Sequence, residues 1–231
     1  CIPYSDEFID IVKDYSKIFN PEHIIIYSTV APGTTTSIGD NAVHSPIEGR
    51  HPHLIDAFKT FTRFVGGKNS QLVGKYFSNR DLQVQTFDKA EITELGKLFS
   101  SLRYGLNLVL AQEEKQICDI LGVKFEDVVL SYQQMYNKGY MKTQYIQSIL
   151  IPPGEKIGGH CVIENNKILY KQFTKTIIGI VANFNEKNEN KNQTTKTPKC
   201  ILCLDNYYSD LYCLQCGRTK EGNYIPVHKK K

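Results

Sequence analysis

Between Asp88 and Gly122 one pattern limits the fold more than any other. Ile92, Leu95, Leu98, Phe99, Leu102, Leu106, Leu110, Ile117, Ile120 and Leu121 recur at helical spacing. The spacing predicts one amphipathic helix of about 30 residues, ended by Gly122. Asp88 followed by Glu91 matches a capping box at its start. Ordinary surface helices run roughly 8–20 residues. A helix this long bridges domains or packs against a partner.

What precedes the helix has a different rhythm. Ser5 stands where a cap would open a helix from Asp6 to Phe19, whose apolar positions keep the helical period until Asn20-Pro21. Ile24-Ile25-Ile26-Tyr27 is continuously apolar, as a strand buried on both faces requires. A helix from Leu54 to Phe64, a strand near Phe64-Val65-Gly66 and an alternating strand through Leu82, Val84 and Thr86 follow. Helix–strand alternation of this kind implies an α/β fold with a largely parallel sheet. Beyond Gly122, a second helix is expected from Lys124 to Asn137, stopping at Gly139, and a strand over Thr176–Val181.

Composition sets wider bounds. A chain of 231 residues holds one medium domain or two small ones, and 41% hydrophobic residues suit a soluble globular protein. No apolar run approaches a membrane span. Cys1-Ile2-Pro3 reads as the end of a buried strand, so the chain is expected to be a fragment that starts upstream. The net charge of +4 is mild, and part of it lies in the tail His228-Lys229-Lys230-Lys231. That tail reads as a solvated basic terminus, with contact to nucleic acid or an acidic surface as the alternative.

The cysteines fall into two groups. Cys1, Cys118 and Cys161 are scattered, while Cys200, Cys203, Cys213 and Cys216 form two C-x-x-C pairs nine residues apart. Four thiolates so spaced suit a tetrahedral structural zinc site, a small zinc ribbon, with disulfide pairing the other reading. So short a segment has too little core to fold alone, and the metal would supply the folding energy. Tyr207, Tyr208 and Tyr212 beside lysines suit contact with protein or nucleic acid. Free thiols beside such a cluster indicate a reducing compartment, the cytoplasm. Asn183–Pro198 is almost wholly polar and reads as a linker. His44, His51 and His53 form a possible second metal group, or turn histidines beside Pro46 and Pro52.

The chemistry concentrates in Ile157-Gly158-Gly159-His160-Cys161, read as a loop after Pro152-Pro153. A thiol held there can reach a substrate if its thiolate form is favoured. Together with Ser28-Thr29-Val30-Ala31-Pro32-Gly33-Thr34, His44-Ser45-Pro46, Phe64-Val65-Gly66-Gly67 and Glu94-Leu95-Gly96-Lys97, it resembles the motifs of the nucleotide-sugar 6-dehydrogenases, the UDP-glucose/GDP-mannose dehydrogenase family. The likeness covers residues 1–170.

The resemblance implies the C-terminal half of a Rossmann-like sheet, then a helical dimerisation domain. It also implies NAD-dependent oxidation of a sugar-nucleotide C6 alcohol in two hydride transfers. Cys161 would attack the intermediate aldehyde, and water would hydrolyse the resulting thioester. Lys97 would stabilise the oxyanion at C6, and Thr29 would place a water or the cofactor. Ser28, Thr29, Val30, Pro32 and Gly33 would line the nicotinamide, and the long helix would form a homodimer.

Departures accompany the likeness. Ser101 stands where the family has Asn, Asn165 where it has Asp, and Ile47 where it has Glu, with Glu48 one place late. An amide cannot act as a base near neutral pH, so Asn165 puts the hydrolytic step in doubt. No Gly-x-Gly-x-x-Gly phosphate loop occurs, so NAD would need an N-terminal segment that this sequence lacks. The family's C-terminal sugar domain is replaced by the linker and cysteine cluster. The expected domains are 1–87 (partial NAD-binding), 88–170 (helical, with the cysteine loop), 171–198 (strand and linker), 199–217 (zinc ribbon) and 218–231 (basic tail). The alternative is a binding or assembly protein derived from a dehydrogenase and no longer catalytic. The catalytic reading requires Cys161 and Lys97 to meet in one pocket beside Thr29.

Overall fold

A computed structural model of the chain describes residues 2–49, 53–143, 145–158 and 161–186. They belong to two compact units, Cys1–Leu106 with Gly159–Ala182, and Asn107–Gly158 with Asn183–Lys231.

The first unit is built on a sheet of four strands, β1 (Ile24–Ile26), β2 (Ala42–His44), β3 (Arg63–Gly66) and β4 (Val84–Phe87), in that spatial order. The isoleucine run of β1 serves both faces. Ile24 and Ile26 pack with Phe8, Val12 and Val30 beneath helix α1 (Phe8–Phe19). Ile25 turns the other way, toward Val43, Val65, Val73 and Phe77. That second layer rests on helix α4 (Ser70–Ser78). Short helices α2 (Thr34–Ile38) and α3 (Leu54–Thr60) follow β1 and β2. The expected helix after Leu54 thus stops at Thr60, and Arg63 already belongs to a strand.

The sheet is mixed. β1 and β2 run parallel, as do β3 and β4, but β2 and β3 are antiparallel, with His44 opposite Gly66. The chain leaves β2 at its carboxyl end, runs through Ser45–Thr62, and re-enters as β3 from the same edge. It makes no crossover of the kind a parallel neighbour needs.

Helix α5 runs from Ala90 to Leu121 and ends at Gly122, whose φ of 69° is left-handed. Its length matches the expectation from periodicity. Its start differs from the expected capping box, because the Glu91 carboxylate accepts from the Thr36 hydroxyl (3.1 Å). Ser5 likewise contributes its backbone carbonyl to Phe8, not a side-chain cap.

Two further expectations fail. Thr176–Val181, expected as a strand, lies in helix α8 (Thr176–Ala182). Ile178, Val181 and Ala182 recur every three or four residues and are buried, with Ile178 against Leu98 and Leu169, so packing overrides the β-branched composition. Cys161, expected in a loop, is the first residue of helix α7 (Cys161–Gln172).

The second unit joins the later part of α5 to a π-helical turn, Glu126–Leu130, and helix α6 (Ser131–Gly139). Its small core is Ala111, Cys118, Phe125 and Val129.

Candidate active site

The loop after β1 is held by one carboxylate. Glu94, fully buried on α5, accepts from the backbone N–H of Gly33 (2.7 Å) and of Thr35 (2.9 Å). Gly33 sits at φ 90°, a conformation that favours glycine and that aims its N–H at this carboxylate. Burial pushes the Glu94 carboxyl up, and the hydrogen bonds from Thr35 and Gly33 oppose that shift. At the other end of the loop, the Ser28 hydroxyl donates to the Ile2 carbonyl (2.6 Å) and accepts from its N–H (3.1 Å).

His44, fully buried, ties the same loop to α5 a second time. Its Nε2–H donates to the Ser28 carbonyl (3.1 Å), and its Nδ1 accepts from the Thr93 hydroxyl (2.8 Å). Burial holds the imidazole down at about 4; the bond to Ser28 opposes the shift and nearby Lys97 adds to it. The ring is therefore neutral at pH 7. His44 lies in a strand rather than a turn, and no metal-type cluster of His, Cys, Asp or Glu exists among the described residues.

Arg63 supports the opposite side of the sheet edge. Its Nη2 donates to both the carbonyl and the hydroxyl of Ser45 (3.0 Å each), and its guanidinium stacks on Phe58 at 4.3 Å. Burial lowers its pKa, while Tyr27 and Glu48 counter the shift. With Ser45 fastened, the next residues meet α5. Lys97 Nζ donates to the Ile47 carbonyl (2.8 Å) and pairs with Glu48 (3.2 Å), its side chain only 16% exposed. The carboxylate that seemed one place late in the sequence is thus the one at Lys97.

The two departed positions meet each other. Asn165 Nδ2 donates to Ser101 Oγ (2.8 Å), and Ser101 Oγ donates to the Lys97 carbonyl (3.2 Å). The α5–α7 packing is antiparallel. Val162 closes over Gly105, Asn165 meets Ser101, and Leu169 packs on Leu98. Cys161, exposed, therefore stands at the Gly105 end of the pair, and Lys97 toward the Leu98 end. The two are separated by roughly two helical turns, ~11 Å along the axis. Glu164 points away and pairs with Lys167 (3.5 Å).

Of the other expected residues, Thr29 is half-buried and Val30 is wholly in the α1 core, which leaves only its backbone for a ligand. The Pro32 carbonyl accepts from Gln172 (3.4 Å). A cavity of about 540 Å³ lies elsewhere, between Thr35, Asp40, Gly67, Asp88 and Glu91, and neither Thr29, Lys97 nor Cys161 lines it. His51, Cys200, Cys203, Cys213 and Cys216 fall outside the described residues.

The sequence reading gives Thr93 and Arg63 no role, quotes Glu94 only within a motif, and takes His44 for a metal ligand or a turn histidine rather than a buried tie between loop and helix. The available signal for Glu94 was its place one turn before Lys97 on the buried face of α5. For Arg63 it was a lone cation among strand-forming residues.

No family model matches the chain. A UDP-N-acetyl-D-mannosamine dehydrogenase of Methanococcus maripaludis is 28% identical over 149 residues, which is 60% of this chain and 32% of the relative. The corresponding protein of Methanocaldococcus jannaschii is 23% identical over 172 residues, 70% of this chain and 38% of the relative. Among solved structures, the UDP-D-ManNAc dehydrogenase of Pyrococcus horikoshii matches with a TM-score of 0.66 at 17% identity, over 84% of this chain and 50% of that one. The UDP-N-acetyl-mannosamine dehydrogenase of Staphylococcus aureus matches at 0.60 and 21%, over 83% and 50%. In sequence and in fold, the chain resembles the nucleotide-sugar dehydrogenases. It spans about a third of the length of the curated relatives it matches, 32% and 38% here.

Proposed function

We propose that this chain carries the thiol-bearing part of a nucleotide-sugar 6-dehydrogenase site whose hydrolytic step is impaired. The Lys97 ammonium carries the reading, because the Ile47 carbonyl and Glu48 hold it at the sheet edge where the loop after β1 also lies. An ammonium has three N–H groups. With two taken, one remains for an oxygen that becomes anionic. Cys161 opens a helix, so negative charge developing beside it meets the first turn's unpaired N–H groups. Its sulfur is the nucleophile for an aldehyde carbon.

The Ser28–Gly33 loop fits the nicotinamide end of NAD in part. Glu94 consumes the Gly33 N–H and Gln172 donates to the Pro32 carbonyl, so what the loop offers a ligand is the Thr29 side chain and the backbone of residues 29–31. When bound, NAD would supply the hydride acceptor. Asn165 donates into Ser101, and Ser101 into a backbone carbonyl. This line of donors contains no group that takes a proton at neutral pH, and it weakens the step in which water releases the product.

The same donor line favours a second reading, a dehydrogenase-derived binding protein that no longer oxidises anything. Homodimerisation through α5, a structural zinc at Cys200, Cys203, Cys213 and Cys216, and a cytoplasmic location belong to both readings. No helix among the described residues is long and apolar enough to cross a membrane.

The experiment follows NADH formation by the full-length protein with NAD and a panel of UDP-sugars. The expected result is a burst of at most about two NADH per chain, one for each hydride needed to reach the thioester, converted to steady turnover by Asn165→Asp. No NADH from either protein ends the catalytic reading and leaves the binding protein.

A further inference from the structure

The segment that holds Lys97 is itself anchored. Lys97 Nζ donates to the Ile47 carbonyl and pairs with Glu48, so its place depends on where residues 45–49 lie. Other contacts within the first unit fix those residues. The Ser45 N–H donates to the Ile26 carbonyl (2.9 Å). Gly49, at φ 126°, lies so close to α3 that a Cβ there would overlap the Ala57 Cβ. The third anchor is Arg63, whose Nη2 donates to both the carbonyl and the hydroxyl of Ser45.

Arg63 is a costly way to fill its space. It is 1% exposed, with its guanidinium 4.3 Å from the Phe58 ring and 5.7 Å from that of Tyr27. Among the described residues no carboxylate forms an ion pair with it, and its Nε has no acceptor. A cation so buried is unfavourable, and an apolar side chain of similar volume fills a core as well or better. Packing beneath Phe58 therefore needs no charge. What a guanidinium adds is a rigid, permanently charged donor that grips two oxygens of one residue. The charge of Glu48, the carboxylate at Lys97, also favours the buried guanidinium. Both cations thus lean on the same short segment.

We infer that Arg63 is a positioning residue for Lys97: it fastens Ser45, and the segment so fixed presents the Ile47 carbonyl and the Glu48 carboxylate to the ammonium. Two of the three N–H groups are oriented by that segment, which aims the third. Losing the anchor misaims the third N–H without removing it. This deepens the reading of Lys97 as the group that meets the developing oxyanion, and rests on it.

Trace acetylation of the full-length protein with acetic anhydride, read lysine by lysine by mass spectrometry, reports how firmly Lys97 is held. It needs no NAD, sugar or turnover. The proteins compared are wild type, Arg63→Met, Arg63→Lys and Ser45→Ala, each with a thermal melt. Arg63→Met is expected to raise the Lys97 rate at least about fivefold, the order of a lost charge-assisted hydrogen bond, while Lys68 and Lys167 keep their wild-type rates. Arg63→Lys keeps a cation, and Ser45→Ala removes one of the two acceptors; both should give intermediate rises. A folded Arg63→Met with a wild-type rate at Lys97 overturns the inference. So does an equal rise at all three lysines, which marks general loosening. Where Arg63→Met does not fold, wild-type Lys97 rates in the two milder variants overturn it.

In a wild type that forms NADH, Arg63→Met should also slow the burst at least about tenfold and leave NAD affinity within about twofold. An unchanged burst beside a released Lys97 overturns the part of Arg63 in the oxidation. A wild type that forms no NADH ends the dehydrogenase reading alone, and the acetylation rates still decide whether Arg63 sets Lys97.

Discussion

The two units differ in the polar side chains they bury. In the first, polar groups are buried and bonded: Glu94, His44, Arg63, Ser45 and Thr93 lie inside and join loops to the sheet edge. In the second, no polar side chain among the described residues is buried, and tyrosines, methionines and isoleucines lie on the surface, as Ile18, Phe19 and Ile55 also do in the first. Burying a polar group is costly unless every partner is supplied, so the first arrangement fixes one geometry. Exposed apolar area has no such demand and is free to meet a partner. One unit holds its polar groups still, and the other leaves apolar area exposed.

The contrast is broken most severely at Glu94. Glu94→Ala strips two backbone N–H groups of a charged acceptor inside the fold and should cost about 4 kcal/mol in urea unfolding. A loss below about 1 kcal/mol would mean the loop does not depend on that carboxylate.

The next largest effect is a pH dependence. His44 sits at about 4 in the fold against 6.5 unfolded. The unfolded chain therefore binds the proton first, and stability present above pH 6.5 is lost as the pH falls toward 4. The full loss is about 3 kcal/mol, from ~1.4 kcal/mol per pK unit. Glu94 acts with the opposite sign, since its raised carboxyl favours the fold in acid. The difference between wild type and His44→Gln in acid unfolding isolates the histidine, and parallel curves would show that its ring is not buried as described.

A smaller effect belongs to Gly105. A Cβ there would lie 2.5 Å from Val181 Cγ1 and 3.0 Å from Val162 Cγ1. Gly105→Ala gains up to about 1 kcal/mol of helix propensity, but overpacking costs about 1–3. A net destabilisation of about 1 kcal/mol by thermal melting is expected, and a stabilised variant would mean the α5–α7–α8 packing is looser. Smallest of all, Tyr145→Ser on the second unit should change unfolding by less than ~0.5 kcal/mol. A larger loss would make that face part of a core after all.

Periodicity made α5 legible almost to the residue, because Gly122 ends it and ten apolar positions mark one face. The three isoleucines of β1 were legible because a strand buried on both faces leaves an unbroken apolar run. Thr176–Val181 misled for the complementary reason: β-branched residues suit a strand until two helices supply a better surface. The antiparallel β2–β3 pairing is a property of a connection and leaves no mark on either strand. In the candidate site, the departures at Ser101 and Asn165 were visible, but not that they bond each other. Counting from the motif put Glu48 out of register, whereas in space Arg63 fastens Ser45 and the following turn delivers that carboxylate to Lys97.

Glu94 and Thr93 grip the β1 loop and His44 through contacts that take no part in any reaction. They join the chain's own groups to one another, so they hold whether or not the proposed oxidation takes place. A frame fastened in this way keeps its shape independently of whatever its exposed groups do.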